Sequence, residues 1–152
     1  MKKLVFGLVV LTFLCGVAWV QAEGVATKDE AVAMVKKAIE YIKANGNDKA
    51  FAEIDNPKGQ FKDRDLYVVV YDMNAKCLAH GQKKSMIGKE LIDFKDVDGK
   101  PYMRERVDMM KKQNSGWQEY KFMNPLTKKV EPKEMYVERF GDLIVGAGVY
   151  KK

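Results

Sequence analysis

The chain has 152 residues, with 27 lysines and arginines against 21 acidic residues and a net charge of +6. That length holds one domain with one core. The basic residues are scattered and form no long block, so they read as a solvated surface open to small anions, and nucleic acid is not expected as a partner.

Met1-Lys2-Lys3 is a short basic start, and Leu4 to Val20 runs without a charge. Val20-Gln21-Ala22 places a small residue where a signal peptidase cuts, the three-part layout of a secretory signal. The expected organisation is a signal peptide over 1–22 and one domain over 23–152, periplasmic or secreted. An uncleaved anchor is the competing reading, because the apolar run is near the lower limit of about 17 residues for spanning a bilayer. Cys15 follows Thr12-Phe13-Leu14, not the small residue of a lipidation box. Cleavage removes Lys2, Lys3 and Cys15, which lowers the net charge to +4 and leaves Cys77 without an intramolecular disulfide partner.

The spacing of Ala31, Met34, Val35, Ala38, Ile39 and Ile42 predicts a helix over Thr27 to Ala44. Thr27 and Glu30 form a capping box at its start, and Asn45-Gly46-Asn47 stops it. Asp48 to Ile54 is a short second helix, and Asn56-Pro57-Lys58-Gly59 is a turn. Leu66 to Met73 is a strand dense in β-branched and aromatic residues, and it turns back into Lys76 to His80. A loop with Gly81, Gly88 and Asp98-Gly99-Lys100-Pro101 leads to an amphipathic helix over Tyr102 to Lys112. Strands over Trp117 to Met123, Lys133 to Phe140 and Leu143 to Tyr150 close the chain. Short connections favour antiparallel pairing. The fold class is α+β: a PAS-like five-stranded antiparallel sheet, with a long N-terminal helix on one face and a loop-helix cap on the other.

Several phrases carry a family resemblance. They are Tyr67-Val68-Val69-Val70-Tyr71-Asp72, Leu78-Ala79-His80, Ile87-Gly88-Lys89 and Asp96-Val97-Asp98-Gly99-Lys100-Pro101-Tyr102. Gly116-Trp117-Gln118-Glu119-Tyr120, Pro132-Lys133-Glu134-Met135-Tyr136-Val137 and Val145-Gly146-Ala147-Gly148-Val149-Tyr150 follow. In this order they resemble the single Cache domain of the second type, an extracellular sensor module, over Ala26 to Lys151. The resemblance implies binding of a small organic ligand, commonly a short carboxylate, as in chemoreceptors and sensor kinases. The chain stops at Lys152, directly after the last strand, so signalling is expected to pass through a separate membrane receptor or sensor kinase.

The candidate ligand-binding residues are His80, Tyr120, Lys133 and Tyr136, with Arg104 as a further cation or a plain surface arginine. A short carboxylate needs a cation and oriented donors in an apolar cleft, which these types supply. His80, the one histidine, gains weight from the match at Leu78-Ala79-His80. Cys77 and His80 stand three apart, so simple strand alternation points them to opposite faces and argues against a dyad. No second histidine or remaining cysteine supports zinc. Asp96, Asp98, Gly99 and Glu105 echo a calcium loop, but Phe94 holds its first position and Pro101 lies inside it. No cofactor is expected. Nor does any nucleophile, base and acid set announce an enzyme. The alternative to a ligand sensor is a ligand-independent periplasmic protein that docks on a membrane receptor. The oligomeric state is left open.

Overall fold

Thr27 opens the first helix through the expected reciprocal contacts. Its hydroxyl accepts from the Glu30 amide at 3.3 Å, and the Glu30 carboxylate accepts from the Thr27 amide at 2.6 Å. The computed structural model describes residues 24–151, so the expected signal segment lies outside the described residues. Helix α1 spans Lys28–Asn45 and buries Ala31, Val35, Ala38, Ile39 and Ile42 along one stripe. Gly46, at φ +78°, ends it and starts α2, Asn47–Ile54. Positive φ costs glycine little, which is why one residue can both stop a helix and redirect the chain. Among the described residues no helix is long and apolar enough to cross a membrane.

Six strands follow: β1 Lys62–Asp63, β2 Leu66–Asp72, β3 Cys77–His80, β4 Ser115–Met123, β5 Val130–Phe140 and β6 Leu143–Tyr150. Helix α3, Tyr102–Lys112, lies between β3 and β4, after a single 3₁₀ turn at Lys84–Met86. All pairs are antiparallel, in the order β1-β2-β6-β5-β4, and β3 pairs with β2 off this path. The five expected strands are present, and the two-residue β1 is an addition. The last strand, β6, sits between β2 and β5, in the middle of the sheet.

Helices α1 and α2 cover one face. There Val35, Ile39, Ile42, Ile54 and Phe61 pack on Leu66, Val68, Val70, Val145 and Ala147. The loop after β3 and helix α3 cover the other, with Met86, Leu91, Tyr102, Met103, Val107 and Met110 on Tyr67, Val69, Tyr71, Met135 and Ile144. The sheet is therefore a wall between two cores.

One expectation about faces is overturned. Tyr71 pairs with Cys77, but Val70 pairs with Ala79 and Val69 with His80, so Leu78 is an extra residue in β3. Such a bulge resets the alternation. Cys77 and His80 consequently both reach the cap face, where Cys77 packs in the core and His80 stacks on Tyr67. Cys77 takes no part in a dyad: its thiol contacts the Ala79 carbonyl at 3.7 Å, and burial pushes it up to about 12.

Candidate functional site

The cap face holds two side chains that an apolar core does not explain. Lys133 and Arg106 are both fully buried. Lys133 shares parity with Met135 and Val137 on β5, so alternation aims it into the core. Arg106 stands in the α3 stripe of Met103, Val107 and Met110. Neither forms an ion pair with any acid among the described residues.

A glycine, Gly148, lets Lys133 lie across the sheet. On β6, Gly146 and Gly148 stand opposite Val137 and Met135. A Cβ at Gly148 would come within 2.7 Å of Lys133 Cε. The side chain passes over this gap, and Nζ donates to the Tyr67 hydroxyl at 2.9 Å on β2. Tyr150 lies 3.4 Å from Nζ and gives its own proton to the Met123 carbonyl at 2.7 Å. The rings of Tyr67, Tyr150 and Phe122 surround the amine, with centroids 4.0, 4.7 and 5.8 Å away. Burial, with the nearby Arg106 charge, holds the Lys133 ammonium well below its ordinary pKa, and Asp65 offsets part of that. Asp65 is itself buried, but its Oδ1 accepts from the Ala26 amide at 2.9 Å.

Arg106 sits in a separate niche. Its Cζ lies 5.1–5.4 Å from the rings of Tyr120, Tyr71 and Tyr102. Nε donates to Gln118 Oε1 at 3.1 Å, and Gln118 is fixed in turn by donating to the Tyr102 carbonyl at 2.8 Å. One guanidinium nitrogen, Nη2, is buried and has no hydrogen-bond partner. An unmade bond from a buried charged donor costs about 1–3 kcal/mol or more. Burial raises the phenol pKa values of Tyr67, Tyr71 and Tyr120, so these hydroxyls stay protonated.

His80 is 2% exposed and borders the Lys133 niche. Its ring stacks on Tyr67 at 5.4 Å. Nδ1 accepts from the amides of Lys83 at 2.9 Å and Gln82 at 3.3 Å, which leaves the proton on Nε2. Burial first, then Lys133, lowers its pKa to about 3, so it is a neutral donor. A surface cleft of about 240 Å³ adjoins the cluster and shares Tyr102 and Phe122 with it. Met86, Phe94, Val97 and Val130 give it apolar walls, and Lys83, Lys95 and Lys121 also line it.

The fold thus brings together three of the five residues singled out in the sequence: His80, Tyr120 and Lys133. Tyr136 does not join them. It differs from Lys133 by three positions on a regular strand and faces α1, where it packs against Trp117 at 5.5 Å and donates to Glu138 at 3.0 Å. Arg104 is half-exposed on the outer side of α3 and pairs with Asp93. Arg106 was missed, although its place among Met103, Val107 and Met110 is a helical-spacing signal that Arg104 lacks. Tyr67 and Tyr150 were missed because they meet Lys133 only through the β2–β6–β5 order. The calcium-like loop is a turn: both Asp96 oxygens accept backbone amides, from Asp98, Lys100 and Lys121.

Known structures share this architecture. A methyl-accepting chemotaxis protein from Vibrio parahaemolyticus is 27% identical, over 81% of this chain and 87% of that one, with a TM-score of 0.68. A Cache chemosensory domain solved for its recognition of carboxylic acids is 23% identical, over 82% and 92%, at 0.69. A periplasmic sensor domain of a chemotaxis protein is 20% identical, over 82% and 90%, at 0.66. These last two show the fold. The family model for single Cache domain 2 matches residues 9–152. A six-stranded antiparallel sheet between a capped helix and a loop-helix lid, matched along almost its whole length, places this chain in the single Cache domain 2 family of sensor domains.

Proposed function

We propose that this chain is an extracytoplasmic binding module for a short organic carboxylate, held on the cap face between Lys133 and Arg106, that signals through a separate membrane partner. The observation that carries the reading is the pair of fully buried basic side chains, neither held in an ion pair, one with a donor that has no partner. A buried cation in this state is destabilising alone and is relieved by an anion. Tyr120 and the Nε2 proton of His80 are the accompanying donors. The carboxylate recognised by the Cache chemosensory domain of like fold supports the same ligand class.

The cleft beside Tyr102 and Phe122 is the entry side, and the loop-helix cap is the part that moves. A ligand shifts the cap only as far as it binds the closed arrangement more tightly than the open one. Residues 1–22 are the export signal in this reading, and N-terminal sequencing of protein recovered from the periplasm should begin at Glu23.

Thermal unfolding with a panel of short carboxylates and amino acids tests the reading. A ligand at 100 times its Kd adds about 2.7 kcal/mol, which raises the Tm of a domain this size by several degrees. Lys133→Ala should lose the shift and keep the far-ultraviolet circular dichroism. No shift with any of these compounds, together with co-purification of an intact membrane receptor, would favour the ligand-independent docking protein instead.

A further inference from the structure

We infer that the surface cleft beside Tyr102 and Phe122 is a docking seat for an acidic segment of a partner protein, one that carries a large apolar side chain between aspartates or glutamates. The inference goes beyond the carboxylate reading and stands without it. Six large apolar side chains are exposed among the described residues. Four of them, Phe94, Val97, Met123 and Val130, line this one cleft. A fifth, Leu126, lies in the loop of the same β4–β5 hairpin. Single apolar side chains scattered on a surface need no explanation, whereas a group gathered round one hollow marks a contact with a partner. The hollow, of about 240 Å³, also has the buried Met86 and Tyr102 among its walls. A concave seat of this kind suits an inserted side chain of a protein segment better than the surface of a bilayer.

The seat is built in advance. Met123 and Val130 are register partners at the end of the β4–β5 hairpin. Phe94 and Val97 flank Asp96, whose carboxylate ties the cap loop to β4. Its Oδ2 accepts from the Lys121 amide at 3.0 Å, and its Oδ1 accepts from the Asp98 and Lys100 amides, each at 3.0 Å. A partner therefore need not order this loop before binding it. Charge sets the sign of the partner. The lining holds three lysines, Lys83, Lys95 and Lys121, against one acid, Asp96, whose two oxygens are taken by those amides. Lys121 pairs with Asp98 at 2.7 Å. Lys83 and Lys95 are exposed and form no ion pair among the described residues. The same holds for Lys128, which lines an adjoining hollow with Lys83, Phe122 and Met123. An apolar centre rimmed by unpaired cations complements an apolar side chain rimmed by carboxylates. It does not complement a second copy of a chain whose net charge is +6. In the carboxylate reading the same cleft is the way in, so a docked segment would close it behind the ligand.

Selection of short random peptides displayed on phage against the purified protein, followed by fluorescence polarisation with the enriched peptides, tests the seat without any carboxylate present. Two variants accompany the parent: Val97→Asp with Val130→Asp in the cleft, and Lys83→Glu with Lys95→Glu on its rim. All four positions are exposed, so both variants should keep the parent's circular dichroism. The enriched peptides should share a leucine, isoleucine, phenylalanine or methionine among acidic residues. They should bind the parent about tenfold more tightly than the cleft variant. The rim variant should lose several-fold, and so should the parent when salt rises from about 0.05 to about 0.5 M. Peptides without an acidic excess, or peptides that bind parent and cleft variant alike, would overturn the inference. Phosphatidylglycerol vesicles that bind the parent but not the cleft variant, with no peptide enriched, would give the cleft to a membrane surface instead. A dimer that the cleft substitutions dissociate would give it to a second copy. No binding of any of these kinds would leave the patch without a docking role, and the carboxylate reading would be untouched.

Discussion

The two faces of the sheet bury their side chains for different ends. Under α1 and α2 the core is aliphatic: alanines, valines and isoleucines with Phe61 at its edge, and no buried cation among the described residues. Under the cap it is made of tyrosines and methionines around Lys133, Arg106 and His80. The first arrangement gains free energy from each apolar area it hides, at about 25 cal/mol per Å². The second gives some of that up, since a buried unpaired charge opposes folding. One sheet therefore carries a face that holds the domain together and a face that, in the proposed reading, stays unsatisfied until an anion arrives.

Substitutions on opposite faces sharpen this contrast most. Phe61 is 1% exposed and meets Tyr41 edge-on at 5.4 Å. Phe61→Ala should cost about 3–5 kcal/mol in urea unfolding, through lost contacts and the cavity left behind. Lys133→Met should cost nothing or stabilise by about 2 kcal/mol, because it replaces a buried amine with an apolar chain of similar length. The same Lys133→Met protein should no longer bind carboxylates. Equal destabilisation by the two substitutions would make Lys133 a structural residue and end the division of labour.

Acid offers the next measurement. His80 titrates near 6.5 when unfolded and near 3 in place. Between those values the unfolded chain binds a proton that the native state refuses. The His80 contribution is accordingly complete above about pH 6.5 and drains away as the pH falls toward 3, with a slope approaching ~1.4 kcal/mol per unit. Glu30, Asp96 and Glu134 are held below their ordinary carboxylate range by hydrogen bonds and cations, so they do not act until the solution is more acidic. The part of the loss from pH 6.5 to 5 that depends on residue 80 is the histidine's share, beside any contribution of the buried Lys133 amine. Denaturant titrations across that window should show it in the native protein and a flatter profile in His80→Phe. A flat profile in both would mean that the imidazole is already solvated.

How far these faces were legible in the sequence depends on the range of the interactions. Helix α1 announces itself through local chemistry, since Thr27 and Glu30 cap it and its stripe repeats every three or four residues. The strand positions follow from β-branched runs, and strand alternation puts Tyr120 and Phe122 on one face, which the structure shows to be the cap face. The bulge at Leu78 does not show, because a four-residue strand has no repeat long enough to reveal a slipped register. Nor does the contact of Lys133 with Tyr67, which depends on β6 lying between β5 and β2 and on Gly148 carrying no side chain. Lys133 and Tyr136, by contrast, were separable by alternation alone. Their joint candidacy rested on chemical type, and the period of the strand decides against it.

That separation supplies the smallest predicted effect and the strictest control. Tyr136 is half-buried on the α1 face, with its hydroxyl bonded to Glu138. Tyr136→Phe removes that part-buried bond and should change stability by about 0.5–1 kcal/mol. Arg104→Ala removes an exposed pair with Asp93, a class of contact that contributes little in water. Both proteins should bind carboxylates with the affinity of the parent, because neither side chain faces Lys133 or Arg106. A severalfold loss of affinity in Tyr136→Phe would mean that the ligand is sensed through the sheet, and the wall between the two cores would then be part of the site.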